Sequence, residues 1–190
     1  MTRTLVLGGA RSGKSRHAED LLPDDAPVRY LATARRRPGD DEWDARLDAH
    51  RARRSPTWTT VESPDVAGLV RGGGGPLLVD DLATWLTGVL DDAGAWEVPA
   101  LPPAVGAAVD ELVAAVRDAP GRVVLVSAET GLGVVPATRA GRLFRDELGA
   151  LNAALAAACD EVLLLVAGLP LRLKQPPRPV PGSGPGPGGG

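Results

Sequence analysis

Gly8-Gly9-Ala10-Arg11-Ser12-Gly13-Lys14-Ser15 decides how this chain is to be read. The stretch fits G-x-x-x-x-G-K-[ST], a loop whose backbone wraps phosphate groups. The apolar run Thr4-Leu5-Val6-Leu7 leads into it, and Arg16-His17-Ala18-Glu19-Asp20-Leu21-Leu22 follows with a helical pattern. Strand, glycine loop and helix in that order give the motif its chemistry. Glycines let main-chain N–H groups approach phosphate oxygens closely, and the start of a helix adds partial positive charge. Lys14 is expected to reach the β- and γ-phosphates, and the Ser15 hydroxyl to ligate magnesium. Of 21 basic residues only Lys14 and Lys174 are lysine. A lysine at position 14, in a chain that otherwise writes arginine, points to a site that needs a compact ammonium rather than a planar fork.

At 190 residues the chain is long enough for one domain with a sizeable core. Aromatics make up 3% of it, so Ala, Val and Leu must fill that core. The net charge of −3 gives no general attraction to nucleic acid. Cys159, the single cysteine, cannot form an internal disulfide; it reads as a small buried apolar residue, and a reducing cytoplasm is the expected compartment. No apolar run reaches membrane-spanning length, and Met1-Thr2-Arg3 leads straight into the first strand, so neither membrane insertion nor a signal peptide is expected.

Outward from the glycine loop the pattern alternates. Strands are expected at Thr4–Leu7, Val28–Thr33, Trp58–Val61, Pro76–Val79, Arg122–Ser127 and Glu161–Val166. Helical patterns fall at Ser15–Leu22, Asp41–Arg54, Leu82–Leu90, Pro103–Asp118 and Ala137–Ala158. Continuous apolar runs such as Val123-Val124-Leu125-Val126 suit strands buried on both faces. The alternation predicts an α/β fold, a mostly parallel sheet flanked by helices in a single domain. Ligands in such sheets sit at the carboxyl ends of the strands, where the glycine loop falls. The domain is expected over residues 1–174. Residues 175–190 hold six Pro and six Gly and are expected to form a disordered tail without chemistry of its own.

Three further groups bear on chemistry. Leu77-Leu78-Val79-Asp80 is an apolar strand ending in an acid, and beside a phosphate loop such an acid contacts magnesium. Asp81 is adjacent, and either carboxylate could instead cap the next helix. The stretch from Asp40 to Arg54 opens with acids and closes with bases, which suits the dipole of a solvated helix. Within it His50 follows Trp43 and Leu47 at helical spacing. Spacing alone favours a boundary histidine; the alternative is a nucleophile toward phosphorus flanked by arginines. His17 reads as structural. Glu129-Thr130-Gly131-Leu132-Gly133-Val134-Val135-Pro136 is either a ligand-facing turn or an ordinary strand–helix connection.

Taken in order, the motifs resemble the family of bifunctional adenosylcobinamide kinase / adenosylcobinamide-phosphate guanylyltransferases. The likeness runs from Leu5 to Lys174. It rests on Gly8 to Arg16, Tyr30-Leu31-Ala32-Thr33-Ala34, Asp41-Glu42 leading to Arg46-Leu47 and His50-Arg51, Trp58 to Glu62, Leu78-Val79-Asp80, Gly131 to Pro136, Phe144-Arg145-Asp146 and Val166 to Lys174. The resemblance implies a RecA-like P-loop fold, a homotrimer and two reactions. A nucleoside triphosphate, ATP or GTP, phosphorylates adenosylcobinamide; GTP then guanylylates a histidine, and the GMP passes to adenosylcobinamide phosphate. By motif position that histidine is His50, and the implied catalytic pair is His50 and Lys14. The implied nucleotide contacts are Gly8, Gly9, Ala10, Arg11, Ser12, Gly13, Lys14, Ser15, Ala32, Thr33, Ala34, Arg51, Ala52, Arg53, Arg54, Glu62 and Asp80. The magnesium would lie at Ser15 and Asp80. The chain departs from the family pattern at Ala128 and Thr130, at Ala153, in the longer Arg35–Gly39 segment and at Ser55. A plain small-molecule kinase and a GTP-binding switch are the competing functions; neither would hold label from the α-phosphate of GTP.

Overall fold

The structure, a computed structural model, describes residues 2–34 and 55–175. Seven strands form one sheet in the order β3-β2-β4-β5-β1-β6-β7. They are β1 (Arg3–Gly8), β2 (Arg29–Ala32), β3 (Thr59–Glu62), β4 (Leu77–Asp80), β5 (Val123–Ala128), β6 (Glu161–Val166) and β7 (Leu169–Lys174). Every neighbouring pair is parallel except β6 and β7. The helices among the described residues are α1 (Lys14–Asp20), α2 (Val66–Arg71), α3 (Leu82–Asp92), α4 (Pro103–Arg117) and α5 (Arg139–Ala158).

The apolar strands sort their side chains by parity. Leu5, Leu7, Leu31, Leu77, Val79, Val123, Leu125 and Val162 enter one core with α2, α3, α4 and α5. Val6, Tyr30, Leu78, Val124, Val126, Leu163 and Leu165 enter the other, beneath Ala18 and Leu22 of the α1 region. Helices on both faces are the reason these strands read as unbroken apolar runs instead of alternating ones. Three of the helix starts are chemically accounted for. Thr138 accepts from Gly141 N at the start of α5, Asp65 from Gly68 N at α2, and Pro103 sits in the first turn of α4, where its missing N–H is harmless.

The expected fold class stands, with strand bounds displaced by about one residue. Two elements escape the sequence reading. The helix α2 has only six residues and contains Gly68, so it offers almost no period to detect. The strand β7 is exposed along its length and carries Pro170, which only an edge strand tolerates. It turns back from β6 through Ala167 and Gly168, at φ 52° and 82°, the backbone of a two-residue hairpin. The expected helix Asp41–Arg54 and the tail beyond Gln175 lie outside the described residues.

Candidate functional site

The carboxyl ends of β1, β2, β4 and β5 meet at one edge of the sheet, and the glycine loop closes over the end of β1. Its glycines are demanded by geometry. A Cβ on Gly8 would sit 2.3 Å from Ser12 Oγ and 3.1 Å from the Leu165 carbonyl oxygen. Gly13 takes φ 89° as the residue before α1, and Arg11 also has positive φ, at 54°. Gly13, the residue before α1, supplies no side-chain cap to its first N–H groups. Ser12 Oγ is buried without a hydrogen-bond partner, and Lys14 Nζ lies 3.4 Å from the Gly9 carbonyl, folded back across the cradle. The loop is anchored from behind by Glu129 N, which donates to Gly8 O.

The helix-cap role that the sequence leaves open between Asp80 and Asp81 falls to Asp81. Asp81 accepts from Thr84 N at 2.7 Å and caps α3. Asp80 points toward α1 instead, and its Oδ1 accepts from the Ser15 hydroxyl at 3.2 Å. The two oxygen donors suit a magnesium ion that takes its remaining ligands from phosphate and water. No group of three or more His, Cys, Asp or Glu side chains that could hold a metal occurs among the described residues. Tyr30 was not among the predicted site residues, yet its hydroxyl donates to Asp80 Oδ2 at 2.5 Å. The signals in the sequence were that the chain's one tyrosine follows Arg29 in an otherwise apolar strand and opens the Tyr30-Leu31-Ala32-Thr33-Ala34 motif.

Ala32, Thr33, Ala34 and Glu62 come together with Thr84 and Trp85 around a cavity of about 400 Å³. It opens at the same sheet edge. Ala32 and Asp80 are register partners, and Thr33 ties the two groups by donating from N to Asp80 O and from Oγ1 to Asp81 O. His50, Arg51, Ala52, Arg53 and Arg54 lie outside the described residues. His17 is partly buried in the last turn of α1, and its main-chain N–H donates to Gly13 O at 2.9 Å.

The connection after β5 is both anchored and exposed. Buried Asn152 accepts from Ser127 Oγ at 2.7 Å and donates to Ala128 O at 3.0 Å, which fixes the strand end despite the departure at Ala128. Beyond it Leu132 and Val134 stand in solvent, at 82% and 94% exposure. Cys159 is buried beyond α5, and that burial pushes its thiol up to about 12, which favours the protonated form at neutral pH. No described helix is long and apolar enough to cross a membrane.

Comparison with known proteins bears on this site. The family described as cobinamide kinase / cobinamide phosphate guanyltransferase matches residues 4–173. The bifunctional adenosylcobalamin biosynthesis protein CobU of Escherichia coli (strain K12) is 41% identical over 180 residues, covering 90% of this chain and 98% of that protein. CobP of Pseudomonas aeruginosa, described in the same words, is 44% identical over 182 residues, covering 92% and 99%. CobU of Salmonella typhimurium is 39% identical over 180 residues. A solved ATPase from the type III secretion system of pathogenic bacteria aligns with 87% of this chain and 51% of its own, at 16% identity and a TM-score of 0.45. The chain spans about half of that ATPase, and so distant a likeness carries no argument.

Proposed function

The chain belongs to the cobinamide kinase / cobinamide phosphate guanyltransferase family, and from that premise we propose how its residues divide the two reactions. It is a bifunctional enzyme of adenosylcobalamin biosynthesis that uses nucleotide substrates. In the first reaction a hydroxyl of adenosylcobinamide attacks the γ-phosphorus of ATP or GTP, and the nucleoside diphosphate leaves. Lys14 and the loop N–H groups from Gly8 to Ser15 hold the phosphates and meet the charge that develops on them. Magnesium, when bound, would be held by Ser15 and Asp80 and would neutralise phosphate charge. In the second reaction a ring nitrogen of His50 attacks the α-phosphorus of GTP and pyrophosphate leaves. The phosphate of adenosylcobinamide phosphate then attacks the same phosphorus, giving adenosyl-GDP-cobinamide and freeing His50.

The observation that carries this reading is the meeting of Ser15 and Asp80 at 3.2 Å beneath the glycine loop. The cavity beside it supports a nucleoside site formed by Ala32, Thr33, Ala34 and Glu62, whose carboxylate is an acceptor suited to the N–H donors of guanine. Arg51, Ala52, Arg53 and Arg54 follow His50 in sequence, and their arginines supply charge for the triphosphate. The working form is a homotrimer in the cytoplasm; exposed Leu132, Val134 and Leu169 support the assembly, and the unpaired Cys159 a reducing compartment.

Exposure to GTP labelled at the α-phosphate tests the scheme. Wild type is expected to retain label that acid removes and base does not, as for a phosphoramidate, and to release pyrophosphate. His50→Ala is expected to hold no label and to make no adenosyl-GDP-cobinamide, yet still to phosphorylate adenosylcobinamide. Unchanged label on His50→Ala would move the nucleophile to His17, the chain's other histidine.

A further inference from the structure

Tyr30 occupies a strand position where this fold has no need of a polar atom. It lies on β2, 1% exposed, in the core beneath α1 that also holds Val6, Val28, Leu78, Val124 and Val126. A buried hydroxyl in such surroundings is unfavourable unless it finds a partner. Register shows how it finds one. Tyr30 pairs with Leu78 and Ala32 with Asp80, so Tyr30 starts two residues below the carboxylate, on the same face of the sheet. The phenol ring spans that rise and delivers its hydroxyl to Asp80 Oδ2 at 2.5 Å. Trp58 lies against the ring, tilted by 33° at a centroid distance of 6.4 Å, and its indole N–H is in turn fixed on Pro23 O at 3.0 Å.

We propose that Tyr30 is a positioning residue of the magnesium site, its hydroxyl holding one oxygen of Asp80 so that the other faces Ser15 and the ion brought by the nucleotide. The inference rests on the reading above that places phosphates in the loop Gly8–Ser15. A carboxylate at the end of a strand can rotate about its side-chain torsions, and each rotamer directs its oxygens differently. With Oδ2 held from below, Oδ1 is directed at Ser15 Oγ, the second oxygen donor of the pair. Groups that fix a metal ligand in this way govern metal affinity without touching the ion.

Tyr30→Phe tests the assignment because it keeps the ring and its packing on Trp58 and removes only the hydroxyl. The readout is binding of a fluorescent GDP analogue, measured across a magnesium titration and again with the metal chelated. Tyr30→Phe is expected to raise the magnesium concentration needed for tight binding by about tenfold, the low end for loss of such a group, and to leave metal-free binding unchanged. In an Asp80→Asn background the same change is expected to add nothing, since the hydroxyl then has no carboxylate to direct. The chain's single tyrosine gives an independent readout: replaced by 3-fluorotyrosine, it yields one fluorine resonance, expected to shift with magnesium and GDP together but not with GDP alone. A magnesium titration identical to wild type, or an unmoved fluorine resonance, makes Tyr30 an ordinary core residue and overturns the proposal. A wild type whose GDP affinity ignores magnesium removes the metal site itself, and the proposal with it. Those two failures are told apart by the wild-type titration alone.

Discussion

Lys14 and Lys174, the two lysines among 21 basic residues, each end with the ammonium facing main-chain carbonyls. Lys14 spans the cradle to Gly9 O at 3.4 Å. Lys174 donates to Ala156 O, Ala157 O and Cys159 O, the carbonyls left open where α5 ends. Three donors on one point charge suit both places; a flat guanidinium suits neither. Lys14→Ala is therefore expected to slow adenosylcobinamide phosphorylation by at least ~10²-fold, as for other groups aimed at developing charge. Lys14→Arg is expected to be nearly as slow, with the melting temperature of both variants close to wild type. Turnover by Lys14→Arg within a few fold of wild type would contradict the argument from lysine usage. At this scale the loop Gly8–Ser15 was legible because its spacing is local. Asp80 and Asp81 were not separable, since a metal ligand and a helix cap both call for a carboxylate at the same strand end. The contact of Tyr30 with Asp80 was not legible because the two lie fifty positions apart.

Between residues and fold stand the elements and their joints. Strands of the sheet interior were legible as apolar runs, and α4 and α5 as long periodic segments. The strand β7 was not, because an exposed edge strand has neither burial pattern nor a ban on proline. The joint between α5 and β6 shows a contact that no local pattern announces. Asp160 accepts from Arg3 N at 2.8 Å, Nε at 3.0 Å and Nη2 at 2.7 Å, which fastens the start of β1 to the turn before β6. The Arg3 hydrogen bonds, first among the causes, hold the Asp160 carboxyl down at about 2, against an ordinary 3.8. A carboxyl depressed in the folded state stabilises it fully above the ordinary value, and the contribution is lost as pH falls through the folded one. The urea midpoint of wild type should thus exceed that of Asp160→Asn above pH 3.8, with the gap closing as pH approaches about 2. A gap that stays constant across that range would mean that the charge on Asp160 contributes nothing and only its shape matters.

Across the whole molecule, the sheet gathers at one edge the phosphate loop, the Asp80 carboxylate and the cavity beside Glu62, but one chain leaves apolar surface uncovered near the same end. Leu132 and Val134 on the connection after β5 face solvent, as do Leu169, Leu171 and Leu173 on β7. Such side chains keep more than half of their surface in solvent, and exposed apolar groups that recur over neighbouring turns mark association surfaces. The sequence showed these residues but not their exposure, because an apolar residue in a loop or edge strand reads the same whether the chain or a second copy covers it. Sedimentation velocity is expected to give a single species of three 19.6 kDa chains. A chain ending at Lys174 should sediment and melt in the same way, since residues 175–190 add six Pro and six Gly and almost nothing apolar to bury. Val134→Asp, 94% exposed within one chain, should leave the fold intact and shift the trimer toward monomer, because an unpaired charge is unfavourable only where a partner would desolvate it. Full-length protein that sediments as a monomer at tens of micromolar would overturn the trimer. A monomeric 1–174 chain beside a trimeric full-length one would place the assembly contacts in the tail instead.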